Sequence, residues 1–177
     1  MRRAIRLPVA ILLLFVFVAP VAAQTPIDER RVREDVPLGE LDITIGAGEG
    51  CGFPVLIEDV AGKITYVFIT EDRHGNLHDR IIWHTTTRLT NVNDPSKWFE
   101  TEYDSYGTAV FSPDGSGKIR FRNDAIVWYA EGDPADLGPG MFLVEHGVIV
   151  EELAADGSVL GSDYRSGDVT DVCAALS

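Results

Sequence analysis

Cysteine, histidine and methionine are all scarce: the 177 residues hold two, four and two of them. Neither cysteine has a second cysteine or a histidine at ligand spacing, which argues against a zinc site. There is no Gly-x-Ser-x-Gly turn to expose a serine nucleophile. No Asp-x-Asp-x-Asp-Gly loop offers calcium ligands, and no glycine loop followed by lysine would cradle phosphate. The stretch GAGEGCG, residues 46–52, has the glycine spacing of a nucleotide fingerprint, but Phe53 and Pro54 lead into a strand instead of a helix. Its glycines therefore read as a bend. Positive charge is also short, with 15 Lys and Arg against 28 Asp and Glu and a net charge of −13. So acidic a chain repels nucleic acid and anionic lipid, and neither is expected as a partner.

What is present begins with MRRAIRLPVAILLLFVFVAPVAA, residues 1–23. Arg2, Arg3 and Arg6 precede an apolar run from Val9 to Val18 and a small-residue exit, the order of a secretory signal peptide cleaved after Ala23. The run is shorter than the roughly 20 residues that span a bilayer, so no stable membrane insertion is expected after cleavage. Removal would leave 154 residues with a net charge of −16, since the segment carries three arginines and no acid. One extracellular domain is the expectation at that length. In an oxidising compartment two lone cysteines most simply form one disulfide, Cys51 to Cys173. Free thiols, an intermolecular bridge and a metal site are the alternatives.

Residues 24–40, ending in TPIDERRVREDVPLGE, are charged and without apolar period, and read as a flexible leader to a domain over 41–177. From Leu41 on, short β-branched and aromatic runs alternate with turn signals such as RHGN, NDPS, SPDGSG and GDPADLGPG. Such spacing predicts an all-β fold, an antiparallel meander closed or nearly closed into a β-barrel, with a β-sandwich as the alternative. The runs taken as strands include FPVLIEDV and KITYVFIT with AG between them, KWFETEYD, GTAVFS, GKIRFRN, AIVWYAE, MFLVEH and VIVEELA. A short C-terminal helix is expected in DVTDVCAAL, capped by Asp168 or Thr170.

Alternation assigns faces. Ile119 and Phe121 oppose Lys118, Arg120 and Arg122, and Ile81, Trp83, Thr85, Thr87 and Leu89 share the inward face of their strand. The two threonines either satisfy each other or line a partly polar cavity. ITYVFI, AIVWYA, MFLV and VIV are apolar on both faces, so something must cover the outside of the sheet there. His74 and His78 flank a hairpin tip, His84 falls between Arg80 and Arg88, and His146 precedes a glycine, positions that suit solvent, an ion-pair rim and a turn better than a metal. Glu100, Glu102 and Asp104 alternate on one strand and read as a solvated face, shared with a partly exposed Trp98.

CGFPV, DRHGNLHDR, RLTNVNDPSK, SPDGSG, LGPGMFLVEHG, AADGSVL and GDVTDVCAAL, in this order between Cys51 and Leu176, resemble a family of small secreted β-rich proteins of actinobacteria with paired end cysteines. That resemblance implies export and a β-rich fold, and brings no catalytic residues with it. The strand pattern is also similar to the small barrels of the allene oxide cyclase and lipocalin-like groups, a likeness of fold that carries no function. The function expected is a secreted, non-catalytic binding module for a small apolar ligand, without cofactor, metal or catalytic residues. Tyr66, Trp83, Thr85, Thr87, Phe99 and Phe121 are its candidate lining residues. An extracellular interaction or oligomerising protein and an isomerase- or cyclase-like barrel enzyme are the alternatives.

Overall fold

The computed structural model describes residues 32–69 and 71–177. The expected signal peptide and the first residues of the expected leader lie outside that range. Eight antiparallel strands form one sheet: β1 (Val32–Val36), β2 (Ile43–Ile45), β3 (Val55–Ile69), β4 (Leu77–Asn91), β5 (Trp98–Phe111), β6 (Gly117–Tyr129), β7 (Gly140–Leu153) and β8 (Val159–Asp171). From β3 onward each strand pairs with its successor, the meander that short turns dictate. Strands β1 and β2 lie end to end along the free side of β3. Part of the stretch expected as a flexible leader is thus a strand, with Lys63 2.9 Å from Asp35 across the pairing. Among the described residues no ladder joins β8 back to β1, β2 or β3, so the sheet is open.

The strands are longer than their sequence runs because several apparent turns are irregularities inside continuous strands. FPVLIEDV and KITYVFIT belong to β3, where Ala61–Gly62 is no hairpin but part of a bulge that shifts the register between Asp59 and Ala61. KWFETEYD and GTAVFS merge into β5, GKIRFRN and AIVWYA into β6, MFLVEH and VIVEELA into β7. A bulge adds one residue to one strand and bends it without ending the ladder, and composition alone does not separate that from a turn.

The decisive bend lies where β6 and β7 are irregular together. The register of β6 shifts between Asn123 and Ala125, that of β7 between Glu145 and Val148, and Asn123 and His146 both take positive φ. Inside the corner is the carboxylate of Asp124, only 6% exposed, which accepts from the backbone N–H of Asp104 at 2.8 Å and of His146 at 3.1 Å. Strand β5 pairs with β6 only from Ser105 on, so Asp124 supplies the acceptor just beyond the point where that ladder stops. Gly147 and Gly167 make the close approach possible: a Cβ on Gly147 would stand 2.4 Å from the Ser166 carbonyl oxygen.

Past the corner the β6–β7 hairpin packs on both sides, which accounts for its doubly apolar sequence. Ile126, Trp128, Met141 and Leu143 join Ile45, Val55, Leu89 and Tyr103 in one core cluster, to which Val172 and Leu176 also belong. Ala125, Val127, Tyr129 and Val144, on the opposite face, join Ile149, Phe121 and Tyr164 in a second cluster under Ala135 and Leu137 of the β6–β7 loop. The cover for AIVWYA and MFLV is therefore the chain itself. That loop also reaches the outer side of β8: Ser162 donates its N–H to the Pro134 carbonyl at 3.0 Å, and Asp136 donates to the Ser162 carbonyl at 3.1 Å.

Strand β8 pairs with β7 as far as Asp171, so the terminal helix is shorter than expected. Helix α1 covers only Val172–Ala175, and its cap is Asp171, not Asp168 or Thr170, with the carboxylate accepting from Ala174 N at 3.0 Å. Cys173 in this turn is bonded to Cys51, 122 residues away, with Cα atoms 5.3 Å apart. A cross-link closing a loop of that length constrains the unfolded chain by about 5 kcal/mol on the chain-entropy account. Asn91 Nδ2 donates to the Leu176 carbonyl at 3.1 Å, fixing the same end to β4.

Replacing Asp124 by Ala would leave the partly buried N–H groups of Asp104 and His146 without that acceptor, at a cost of about 0.5–1.5 kcal/mol each. The urea midpoint of Asp124→Ala is expected to fall accordingly, and that of Asp124→Asn, which keeps one acceptor, by less. An unchanged midpoint in both would show that the corner holds without the carboxylate.

Candidate ligand cavity

The inward faces of the strands leave a cavity of about 170 Å³. Its walls come from distant parts of the chain: Leu41 and Ile43 with Ile57 on one side, Ile81 and Trp83 of β4, Gly107 and Ala109 of β5, Ile119 and Phe121 of β6. Ile126 and Trp128, carried over by the corner, close it opposite, and Leu153 and Val159 lie at one end. Gly107 makes room at the centre. A Cβ there would stand 3.1 Å from Ile81 Cγ2, 3.4 Å from Trp83 Cζ3 and 3.5 Å from Phe121 Cε1.

The mostly apolar wall is broken by three acids, each with neutral hydrogen-bond donors. Asp59 Oδ1 accepts from Thr85 Oγ1 at 2.9 Å and from Thr87 Oγ1 at 2.6 Å, and the two hydroxyls lie 3.0 Å apart. The threonines thus contact each other and both serve the Asp59 carboxylate, while only Thr87 lines the cavity. Asp79 accepts a hydrogen bond from the Tyr66 phenol. Glu151 Oε1 accepts from Tyr129 Oη at 2.9 Å, and Tyr129 also meets Ser162 Oγ. Burial raises the carboxyls of both Asp79 and Glu151 above the usual range. Tyr103, buried beside Trp83 with ring centroids 6.1 Å apart, has its phenol pushed up to about 12, chiefly by burial.

Of the residues expected to line a cavity, Tyr66, Trp83, Thr87 and Phe121 do so. Thr85 stands one hydrogen bond behind the wall, at Asp59. Phe99 does not reach the cavity and packs against the first core cluster. Sequence reasoning missed Asp59, Asp79, Glu151, Tyr103 and Trp128. A signal for the acids was available: Val55–Ile57–Asp59, Asp79–Ile81–Trp83 and Ile149–Glu151–Leu153 each place an acid in the apolar phase of a strand.

The outer face is ordinary by contrast. Glu100 pairs with Arg88 at 2.7 Å, Asp104 with His84 at 2.8 Å, and Glu102 accepts from Thr86 at 3.3 Å, so the acidic row is a solvated cross-strand ladder. Trp98 is 52% exposed beneath the Arg88 guanidinium, whose Cζ lies 5.1 Å from its ring centroid. Asp72 organises the hairpin tip, accepting from His74 N, Asn76 N and Asn76 Nδ2, and its carboxyl is held well below the usual range, first by Asn76. His78 lies 3.2 Å from that carboxylate, and His146 sits in the β7 bend. Among the described residues no three of His, Cys, Asp and Glu are grouped to hold a metal ion.

No family model, curated protein or solved structure matches the chain.

Ionising Glu151 where it sits costs folding free energy. Because its folded carboxyl is raised, stability falls as pH climbs through the ordinary value of 4.5 towards the folded one. Glu151→Gln keeps the acceptor for Tyr129 without the charge. It is expected to be more stable than the native chain at neutral pH, with the advantage vanishing as pH drops below that ordinary value. Urea titrations of both proteins across pH measure this, and a pH-independent difference would rule out the ionisation cost.

Proposed function

We propose that this protein is a secreted binding module that holds one small, largely apolar molecule inside its curved, barrel-like sheet. The observation that carries the proposal is the cavity itself, aromatic and aliphatic over most of its wall and built from segments that only the β6–β7 corner brings together. Its 170 Å³ is close to the roughly 150 Å³ that suffices for benzene. Drug-sized ligands occupy about 300–1,000 Å³. The ligand is accordingly a single ring or a short chain. Export is supported by the N-terminal basic–apolar–small order of residues 1–23 and by a disulfide, a bond favoured in oxidising compartments. The interaction-protein alternative was suggested by the two apolar faces of ITYVFI, AIVWYA, MFLV and VIV, and of these AIVWYA and MFLV are covered within the chain.

Trp83 and Trp128 lie at the cavity wall and report on its contents. In a Trp98→Phe background, which removes the exposed ring, single-ring and short-chain hydrocarbons and alcohols are expected to shift the emission saturably. Gly107→Val, which places methyl groups among Ile81, Trp83 and Phe121, is expected to weaken that binding about tenfold or more, through the steric cost of an overfilled site. An emission unmoved by every compound would sink the binding-module reading.

A further inference from the structure

Three acids stand in the cavity wall without an ion-pair partner among the described residues. Asp59, Asp79 and Glu151 all line it, and among the described residues none of the three has a Lys, Arg or His within ion-pair distance. Arg80 contributes to the wall, yet its guanidinium lies over Tyr106, with Cζ 5.0 Å from the ring centroid, on the alternate face of β4 and β5. His78, the neighbour of Asp79 in sequence, makes its contact with Asp72 at 3.2 Å and acts on Asp79 through space without an ion-pair contact. Carboxylates drawn partly out of water, as these half-buried three are, are ordinarily matched by a cation or a metal, since desolvating an unpaired charge costs free energy. Here each has only hydroxyl donors: two threonines, one tyrosine, and the Tyr129–Ser162 pair.

The rest of the wall suits the same kind of guest. Trp83, Trp128, Tyr103, Tyr66 and Phe121 supply aromatic surface, whose faces attract an organic cation. An anion would meet three like charges, and a neutral hydrocarbon would leave all three unmatched. We propose that the ligand of this cavity is a small organic cation, an ammonium group on a single-ring or short-chain body, with the cavity acids as its counter-charges. The inference rests on the binding-module reading above and deepens it by naming the ligand class.

Three probes of nearly equal size separate the two claims: phenethylamine, ethylbenzene and phenylacetate, titrated into the Trp98→Phe protein at neutral pH and followed by tryptophan emission and calorimetry. Phenethylamine is expected to bind about tenfold or more tightly than ethylbenzene, with phenylacetate weakest. In the Asp79→Asn, Glu151→Gln double variant the ratio of amine to hydrocarbon affinity is expected to fall towards one. A native protein that takes ethylbenzene as well as or better than the amine would overturn the cationic ligand and leave the apolar module standing. Binding of none of the three would overturn both. Amine preference retained in the double variant would likewise overturn the assignment of those two carboxylates, a result readable from the affinity ratio provided near-UV circular dichroism shows the variant folded.

Discussion

The fold depends on a buried carboxylate that, among the described residues, is bonded to backbone N–H groups and not to a cation. At the corner of β6 and β7 the ladder loses regular partners on two strands at once, and Asp124 answers with one oxygen for Asp104 N–H and the other for His146 N–H. A bend without such an acceptor would leave two partly buried N–H donors without a protein partner. Because the bend exists, Ile126 and Trp128 come to face β3 and β4 across the interior, and the second cluster forms on the opposite side of the same hairpin. Core and cavity both follow from this corner.

The open ladder gives the disulfide its purpose. A sheet closed by hydrogen bonds would hold its last strand to its first through the backbone. Here the two sides of the sheet are held together by other means: Cys51 before β3 is bonded to Cys173 after β8, Asn91 binds the Leu176 carbonyl, and Lys97 Nζ reaches the Ser177 carbonyl at 2.8 Å. Val172 and Leu176, both fully buried, bring apolar area to the same seam. A four-residue helix has little stability of its own. What fixes it is its cap, its covalent link and the core it fills.

Strand class and face were legible from the residues wherever alternation was clean. Ile81 to Leu89 and Ile119 to Phe121 fall on the faces their period requires, and the exposed row of Glu100, Glu102 and Asp104 behaves as a solvated surface should. Continuity was not legible: Ala61–Gly62, Asn123–Asp124 and His146–Gly147 carry turn residues, but they bend strands without ending them, and only long-range pairing tells the two apart. The double apolarity of AIVWYA raised the right question, and its answer required the corner. The cavity acids were hidden for another reason. Asp and Glu are expected outside, so an acid in the apolar phase of a strand looks like an interruption of the pattern when it is part of the wall.

The β6–β7 loop has one more effect, on what this chain does to its own copies. An open sheet presents backbone groups at its edges, a template for adding further strands and so for fibrils. Along β8 part of that template is spoken for: Ser162 exchanges hydrogen bonds with Pro134 and Asp136, and Tyr164 N–H is taken by the Asp136 carboxylate at 3.1 Å. At the other edge β1 reads VREDV, with Glu34 exposed and Asp35 paired with Lys63, so a second copy docking there would have to accommodate charge. The protein thus keeps an unclosed sheet while offering little purchase for polymerisation, with a covering loop at one margin and charge at the other.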